Sequence, residues 1–254
     1  MIDLYVFPPS PRAFKVMVIA NHLGIESNVR VLDLIKGEQK APEYAALNPN
    51  MRMPTLKDGD YVLWESAAIA QYLAGKRPES GLLPKDERAR LDVTRWQLWD
   101  LAHWDPACAV FLFENVVKSA VLKSGEPDPA ALAKGAESFE RAAKVLDGQL
   151  KGKKFVTGES LTVADFCIGA PLNYAEMARL PMINLAGASE RLARCVETQL
   201  ETRGVKAKVA PGRGVMFPSV RVSRAPLPGK VSFLIPTRDR ADLLKARAVF
   251  TAPV

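Results

Sequence analysis

Ser10 stands immediately before Pro11, after the β-rich run Asp3–Phe7 and the punctuation of Pro8 and Pro9. A hydroxyl followed by proline marks a helix start, with serine at the N-cap and proline at the first helical position. A hydroxyl donor beside unspent helix amides favours an anion. No histidine is near in sequence, so a nucleophilic triad is not implied; Ser10 either donates a hydrogen bond or simply caps its helix. Glu65 and Ser66 open a second helix, whose unpaired N–H groups suit a carboxylate, although an acid there is also what the helix dipole favours. Trp96, Trp99 and His103 fall at i, i+3 and i+7 on one helix face, with Trp104 beside them. Such a stripe is usually core, and less often lines a cleft or a domain seam. Cys108, Cys167 and Cys195 are widely spaced, odd in number and lack a CxxC pair, which argues against a disulfide framework. His22 and His103 are the only histidines, too few for a His-rich metal site, and no metal is expected.

The elements that must position these groups divide the chain. Over residues 1–76 the signals alternate: strand, helix from Pro11 to Leu23 closed by Gly24, strand near Asn28–Leu34, short helix near Glu43–Leu47, hairpin around Asp58-Gly59-Asp60, and helix Ser66–Ala74. Residues 75–86 are rich in Gly, Pro and charge and read as a linker. From Glu87 to about Met182 the pattern is all-helical, with Pro106 expected to kink or end the first long helix. Leu161-Thr162-Val163-Ala164-Asp165-Phe166 reads as a capping box with a hydrophobic staple.

The chain has 254 residues, 48% apolar and 25% charged, an ordinary globular composition. No apolar run approaches the roughly 18–20 residues of a membrane span, and the start lacks a signal-peptide pattern, so the expected location is cytoplasmic. The formal charge of +7 is uneven. Residues 1–190 hold 22 Lys+Arg against 24 Asp+Glu, whereas residues 191–254 hold 13 against 4. The basic tail has no Trp or Tyr to stack bases, so nucleic acid is not the expected partner.

The arrangement resembles the cytosolic glutathione transferase family. The match is carried by Gly37-Glu38-Gln39-Lys40-Ala41-Pro42-Glu43, Leu47-Asn48-Pro49, Arg52-Met53-Pro54-Thr55-Leu56, Trp64-Glu65-Ser66-Ala67-Ala68-Ile69 and the Leu161–Phe166 box. The resemblance implies a thioredoxin-like domain over 1–76, an α/β unit, followed by an all-α helical-bundle domain over 86–183. It also implies a transferase in which glutathione is co-substrate, no cofactor is needed, and a small apolar electrophile is conjugated in detoxification, within a homodimer. A free thiol with a pKa near 8.5 is mostly protonated at neutral pH, so the sulfur needs help to ionise. Ser10 aligns with the family's activating serine. Gln39, Lys40, Arg52, Met53, Pro54, Glu65 and Ser66 match positions that hold the tripeptide: Glu65 its ammonium, Met53 its cysteinyl backbone, Gln39, Lys40 and Arg52 its glycyl end. Trp99, His103 and Phe111 are the candidates for the electrophile pocket.

Residues 184–254 depart from the pattern, since no tryptophan occurs beyond Trp104 where the family carries a tryptophan-bearing helix. Ser189–Arg203 reads as a helix, and Lys230–Ala248 resembles the opening strand and helix of a family 2, GT-A glycosyltransferase. One strand and one helix cannot bind a sugar nucleotide, so this atypical extension is expected to be an inactive fused fragment. The alternative to an enzyme is a non-catalytic binding or scaffold protein of the same fold.

Overall fold

The computed structural model describes residues 1–182. The Ser189–Arg203 helix and the Lys230–Ala248 segment with its glycosyltransferase resemblance lie outside the described residues.

The first unit runs β1 (Ile2–Val6), α1 (Pro11–His22), β2 (Ser27–Val31), α2 (Pro42–Leu47), β3 (Thr55–Asp58), β4 (Tyr61–Trp64) and α3 (Ser66–Gly75). Its mixed sheet has the order β2-β1-β3-β4, with β1 parallel to β2 and antiparallel to β3. This is the thioredoxin-like arrangement. α1 ends as its sequence dictates. Gly24 takes φ +61°, its N–H donates to Asn21 O, and the Ile25 N–H donates to Ala20 O at 2.9 Å, a Schellman closure.

The second unit is helical. α4 (Glu87–Trp99) passes without a break through a π-helical stretch, Asp100–Trp104, into α5 (Asp105–Leu112). A second π stretch, Phe113–Val121, follows. Pro106 therefore neither ends nor interrupts the helical run. A proline ring clashes with the carbonyl four residues back in an ordinary α-helix, and the wider π turn just before it relieves that clash. α6 (Pro129–Leu150), α7 (Val163–Gly169) and α8 (Ala175–Ala178) complete the bundle. Gly135 lets α6 close on α5, because a Cβ there would lie 2.9 Å from Val110 Cγ1.

One core runs through both units, joining Leu4, Val16, Ile19 and Leu73 to Trp104, Phe139 and Phe166. The capping box forms at the start of α7 as the sequence predicts. The buried Asp165 carboxylate does more than cap. Oδ2 accepts from the Thr162 N–H at 2.8 Å and Oδ1 accepts from the Val156 N–H at 2.7 Å, tying the preceding loop to the helix. Asp165→Asn turns one acceptor into a donor facing another donor. The variant is expected to lose about 2 kcal/mol, read as a lower urea midpoint with an unchanged slope.

Candidate functional site

Strand register brings four segments to one end of the sheet. Tyr5 of β1 pairs with Thr55 at the start of β3, and Thr55 pairs with Trp64 at the end of β4. Val6 pairs with Val31 at the end of β2. The turn to Ser10, the loop bearing Arg52, Met53 and Pro54, the Glu65-Ser66 step, and the segment leading to Gln39 and Lys40 all depart from that end.

Ser10 is the N-cap residue of α1, with extended backbone (φ −78°, ψ 130°). Its N–H donates to Phe7 O and its carbonyl accepts from the Phe14 N–H, both at 2.8 Å. Its hydroxyl makes no capping bond, so Ser10 holds the cap position while its side chain stays uncommitted among the described residues. Glu65 is exposed and has φ 72°, a left-handed conformation that costs a non-glycine residue on the order of 1–3 kcal/mol. Ser66, immediately after it, is buried at the first turn of α3, where the leading amides have no intrahelical acceptor.

The Met53–Pro54 bond is cis, and its loop is held by a buried polar knot. The Tyr44 hydroxyl donates to Arg52 O at 2.6 Å and lies 2.8 Å from Thr55 Oγ1. Asn48 Nδ2 donates to the same two oxygens at 2.7 and 3.0 Å. Tyr44, Asn48 and Thr55 are thus the positioning residues for this edge, and sequence reasoning assigned them no role. The signal available was Asn48-Pro49, a buried amide before a turn. Met53 is half-buried, while the Arg52 and Lys40 side chains are exposed. Gln39 is half-buried, and its Oε1 is buried with no hydrogen-bond partner among the described residues.

Two ion pairs cross from α1 to the helical unit. Arg12 pairs with Asp105, and Lys15 Nζ lies 3.1 Å from Asp100 Oδ2. The basic residues are three apart on an α-helix, and the acids are five apart across a π turn, so each pair falls into line. Lys15 and Asp100 are fully buried. Burial opposes charge on Lys15, but Cys167, Asp100 and Asp105 outweigh it and hold the ammonium above its ordinary range. Burial pushes the Asp100 carboxyl up to about 6, against the pull of Lys15.

Starting at Pro11, the residue after Ser10, a shallow open cleft is bounded by Pro11, Arg12, Cys108, Leu112, Tyr174 and Leu180 among others. Burial pushes the Cys108 thiol well above its ordinary range, which makes it an inert wall. Trp99, His103 and Phe111 are not part of this lining. Trp99 packs with its ring centroid 5.0 Å from Trp96 and 6.4 Å from Trp104, His103 is exposed beside Trp99, and Phe111 is buried against Phe139. The structure therefore places these three outside the cleft adjoining Ser10, in or beside the bundle core. Among the described residues there is no group of His, Cys, Asp and Glu able to hold a metal, and no helix long and apolar enough to cross a membrane.

Comparison with known proteins gives a consistent result. Residues 1–75 match the family model for the glutathione S-transferase N-terminal domain, and residues 129–194 match that for the glutathione S-transferase C-terminal domain. Glutathione S-transferase D7 of Drosophila melanogaster is 34% identical over 178 residues, covering 69% of this chain and 75% of that one. Glutathione S-transferase 3 of Zea mays is 35% identical over 167 residues, covering 65% and 73%. The solved structure of glutathione transferase URE2P6 from Phanerochaete chrysosporium, in complex with oxidized glutathione, is 27% identical. It superposes with a TM-score of 0.68 over 79% of this chain and 90% of that one.

Proposed function

The chain belongs to the glutathione S-transferase family, and we propose that it conjugates the glutathione thiolate to a small apolar electrophile bound in the cleft beside Ser10. The observation that carries this reading is the Ser10 hydroxyl at the N-terminus of α1, free of any capping bond and next in sequence to Pro11 in the wall of that cleft. There the hydroxyl donates to sulfur, and the first-turn amides add their positive end. Glutathione brings two carboxylates and an ammonium, and the sheet end supplies a complement. Glu65 takes the ammonium, the α3 amides beside Ser66 take the γ-glutamyl carboxylate, and Met53 pairs with the cysteinyl backbone as an added strand. Gln39, Lys40 and Arg52 serve the glycyl carboxylate. Gln39 Oε1, an acceptor without a partner among the described residues, supports a ligand N–H at this edge, such as a peptide amide of the tripeptide, while the Gln39 side-chain N–H groups face the carboxylate. Glutathione enters as co-substrate, and no cofactor is invoked. A homodimer goes with the family reading, supported by Leu91 and Leu98, each 61% exposed and seven residues apart on α4. Cytoplasmic location and a detoxifying role are part of the same proposal.

Ultraviolet titration of the glutathione-bound protein, paired with a chlorodinitrobenzene assay, tests the reading. The bound thiol is expected to ionise at least one unit below its ordinary midpoint near 8.5, with conjugate formed at neutral pH. An unshifted midpoint with no conjugation favours the binding-protein alternative.

A further inference from the structure

The cleft beside Ser10 is mostly apolar, with Pro11, Cys108, Ala109, Leu112 and Leu180 in its walls, yet a charged pair sits among them. The Asp105 side chain is 7% exposed, whereas that of Arg12 is 44% exposed. One guanidinium nitrogen of Arg12 donates to Asp105 Oδ2, and its other N–H groups make no hydrogen bond to a described residue. A tether between the two units needs no cation with spare donors at the mouth of a cleft. A site that must meet electron density appearing on a substrate does.

Resting on the glutathione reading above, we propose that Arg12 determines the class of electrophile. The cleft favours acceptors whose own oxygen receives the displaced electron pair, α,β-unsaturated carbonyl compounds and nitroarenes, over alkyl and benzyl halides. In addition to an enone, the sulfur forms a bond to the β-carbon and the C=C pair moves onto the carbonyl oxygen as an enolate, which then takes a proton from water at the α-carbon. In substitution on a chloronitroarene, the S–C bond forms first and the ring pair is held on the nitro oxygens. Chloride then leaves with the C–Cl pair. Both paths build negative charge on a substrate oxygen away from sulfur. Displacement on benzyl chloride puts that charge on the departing chloride, and no oxygen develops any.

Ser10 is the N-cap of α1 and Arg12 stands in its first turn, so the donor serving sulfur and the cation serving oxygen belong to the same helix end. Asp105 fixes the guanidinium before reaction, so little reorganisation accompanies charge development. The carboxylate also keeps the pair formally neutral, which suits charge that appears in the transition state better than a substrate already anionic.

The test measures kcat and KM for an aryl enone, chlorodinitrobenzene and benzyl chloride with the wild type, Arg12→Gln, Arg12→Lys and the double variant Arg12→Gln/Asp105→Asn. Arg12→Gln is expected to lower kcat/KM on the order of 10-fold or more for the enone and nitroarene, through kcat, with the glutathione KM unchanged. Benzyl chloride should change by less than about 2-fold, since no charge on oxygen is there to lose. Arg12→Lys recovers part of the loss. The double variant leaves no unpaired buried carboxylate and is expected to show the same selectivity loss, which separates specificity from folding. Equal losses on all three electrophiles, or none on any, overturn the role of Arg12 and leave the glutathione reading standing. A wild type that conjugates none of them overturns both.

Discussion

Ser10→Ala is expected to lower kcat with chlorodinitrobenzene by on the order of 100-fold, the scale of removing one preorganised donor from a developing anion. What the hydroxyl does not do sets this expectation. A serine that caps its helix typically contributes about 1 kcal/mol when compared with alanine. Here the side chain makes no capping bond, so alanine should shift stability by less than about 0.5 kcal/mol. Glutathione affinity should also hold within about 2-fold, because the groups offered to its charges belong to other segments and a group acting on the thiolate alone shows in kcat. The third readout is spectroscopic. In the variant the bound thiol should titrate nearer its ordinary midpoint of about 8.5. Unchanged turnover removes Ser10 from the mechanism, and a large drop in stability with the midpoint intact returns it to an ordinary cap.

The parts of this site that the sequence made legible are those built by neighbours along the chain. Ser10-Pro11 encodes a helix start, Gly24 a helix end, Asp58-Gly59-Asp60 a hairpin and Thr162-to-Asp165 a capping box, because each needs only a few residues and their local hydrogen bonds. The illegible parts are made by packing between distant segments. Lys15 lies between Phe14 and Val16 on an apolar helix and would ordinarily be assigned to solvent. It is buried because Asp100, 85 residues later, waits behind it. The cleft draws its walls from α1, α5 and the α7–α8 region, a convergence no helical period reveals. The aromatic stripe is ambiguous for the same reason. Trp96, Trp99 and His103 share a face in sequence, but Trp99 packs on the neighbouring tryptophans, His103 stays exposed, and α6 supplies Phe139 as a partner to Phe111 and Trp104. A cation inside an apolar run, with a second one three residues before it, was the available sign that α1 faces acids rather than water.

That buried cation carries the largest expected effect on stability. Lys15→Met leaves the Asp100 carboxylate buried without its partner, and Asp100 Oδ1 already has no hydrogen bond among the described residues. Breaking one side of a buried pair costs about 3–5 kcal/mol, so the urea midpoint should fall steeply. Lys15→Met/Asp100→Leu removes both charges. It is expected to recover most of that loss, since well-packed apolar groups replace buried pairs at little or no net cost. The pair should also be visible in the pH dependence of the wild type. Folding raises the Asp100 carboxyl to about 6, from an unfolded value near 4, so the folded chain holds a proton that the unfolded chain has released. The contribution of Asp100 is therefore complete below about pH 4 and is lost as pH rises through about pH 6. Lys15 works at the other end of the scale: its raised folded value keeps its contribution present until alkaline pH. Arg12, Asp105 and Cys167 surround the same seam, so Asp100→Asn is the informative control. It should flatten the slope between about pH 4 and 6 and move the alkaline limb to lower pH, because Asp100 is one of the groups that hold the Lys15 ammonium. A double variant as unstable as Lys15→Met, or a slope that survives Asp100→Asn, would show that the seam is held by its apolar contacts and that the ion pair follows the packing.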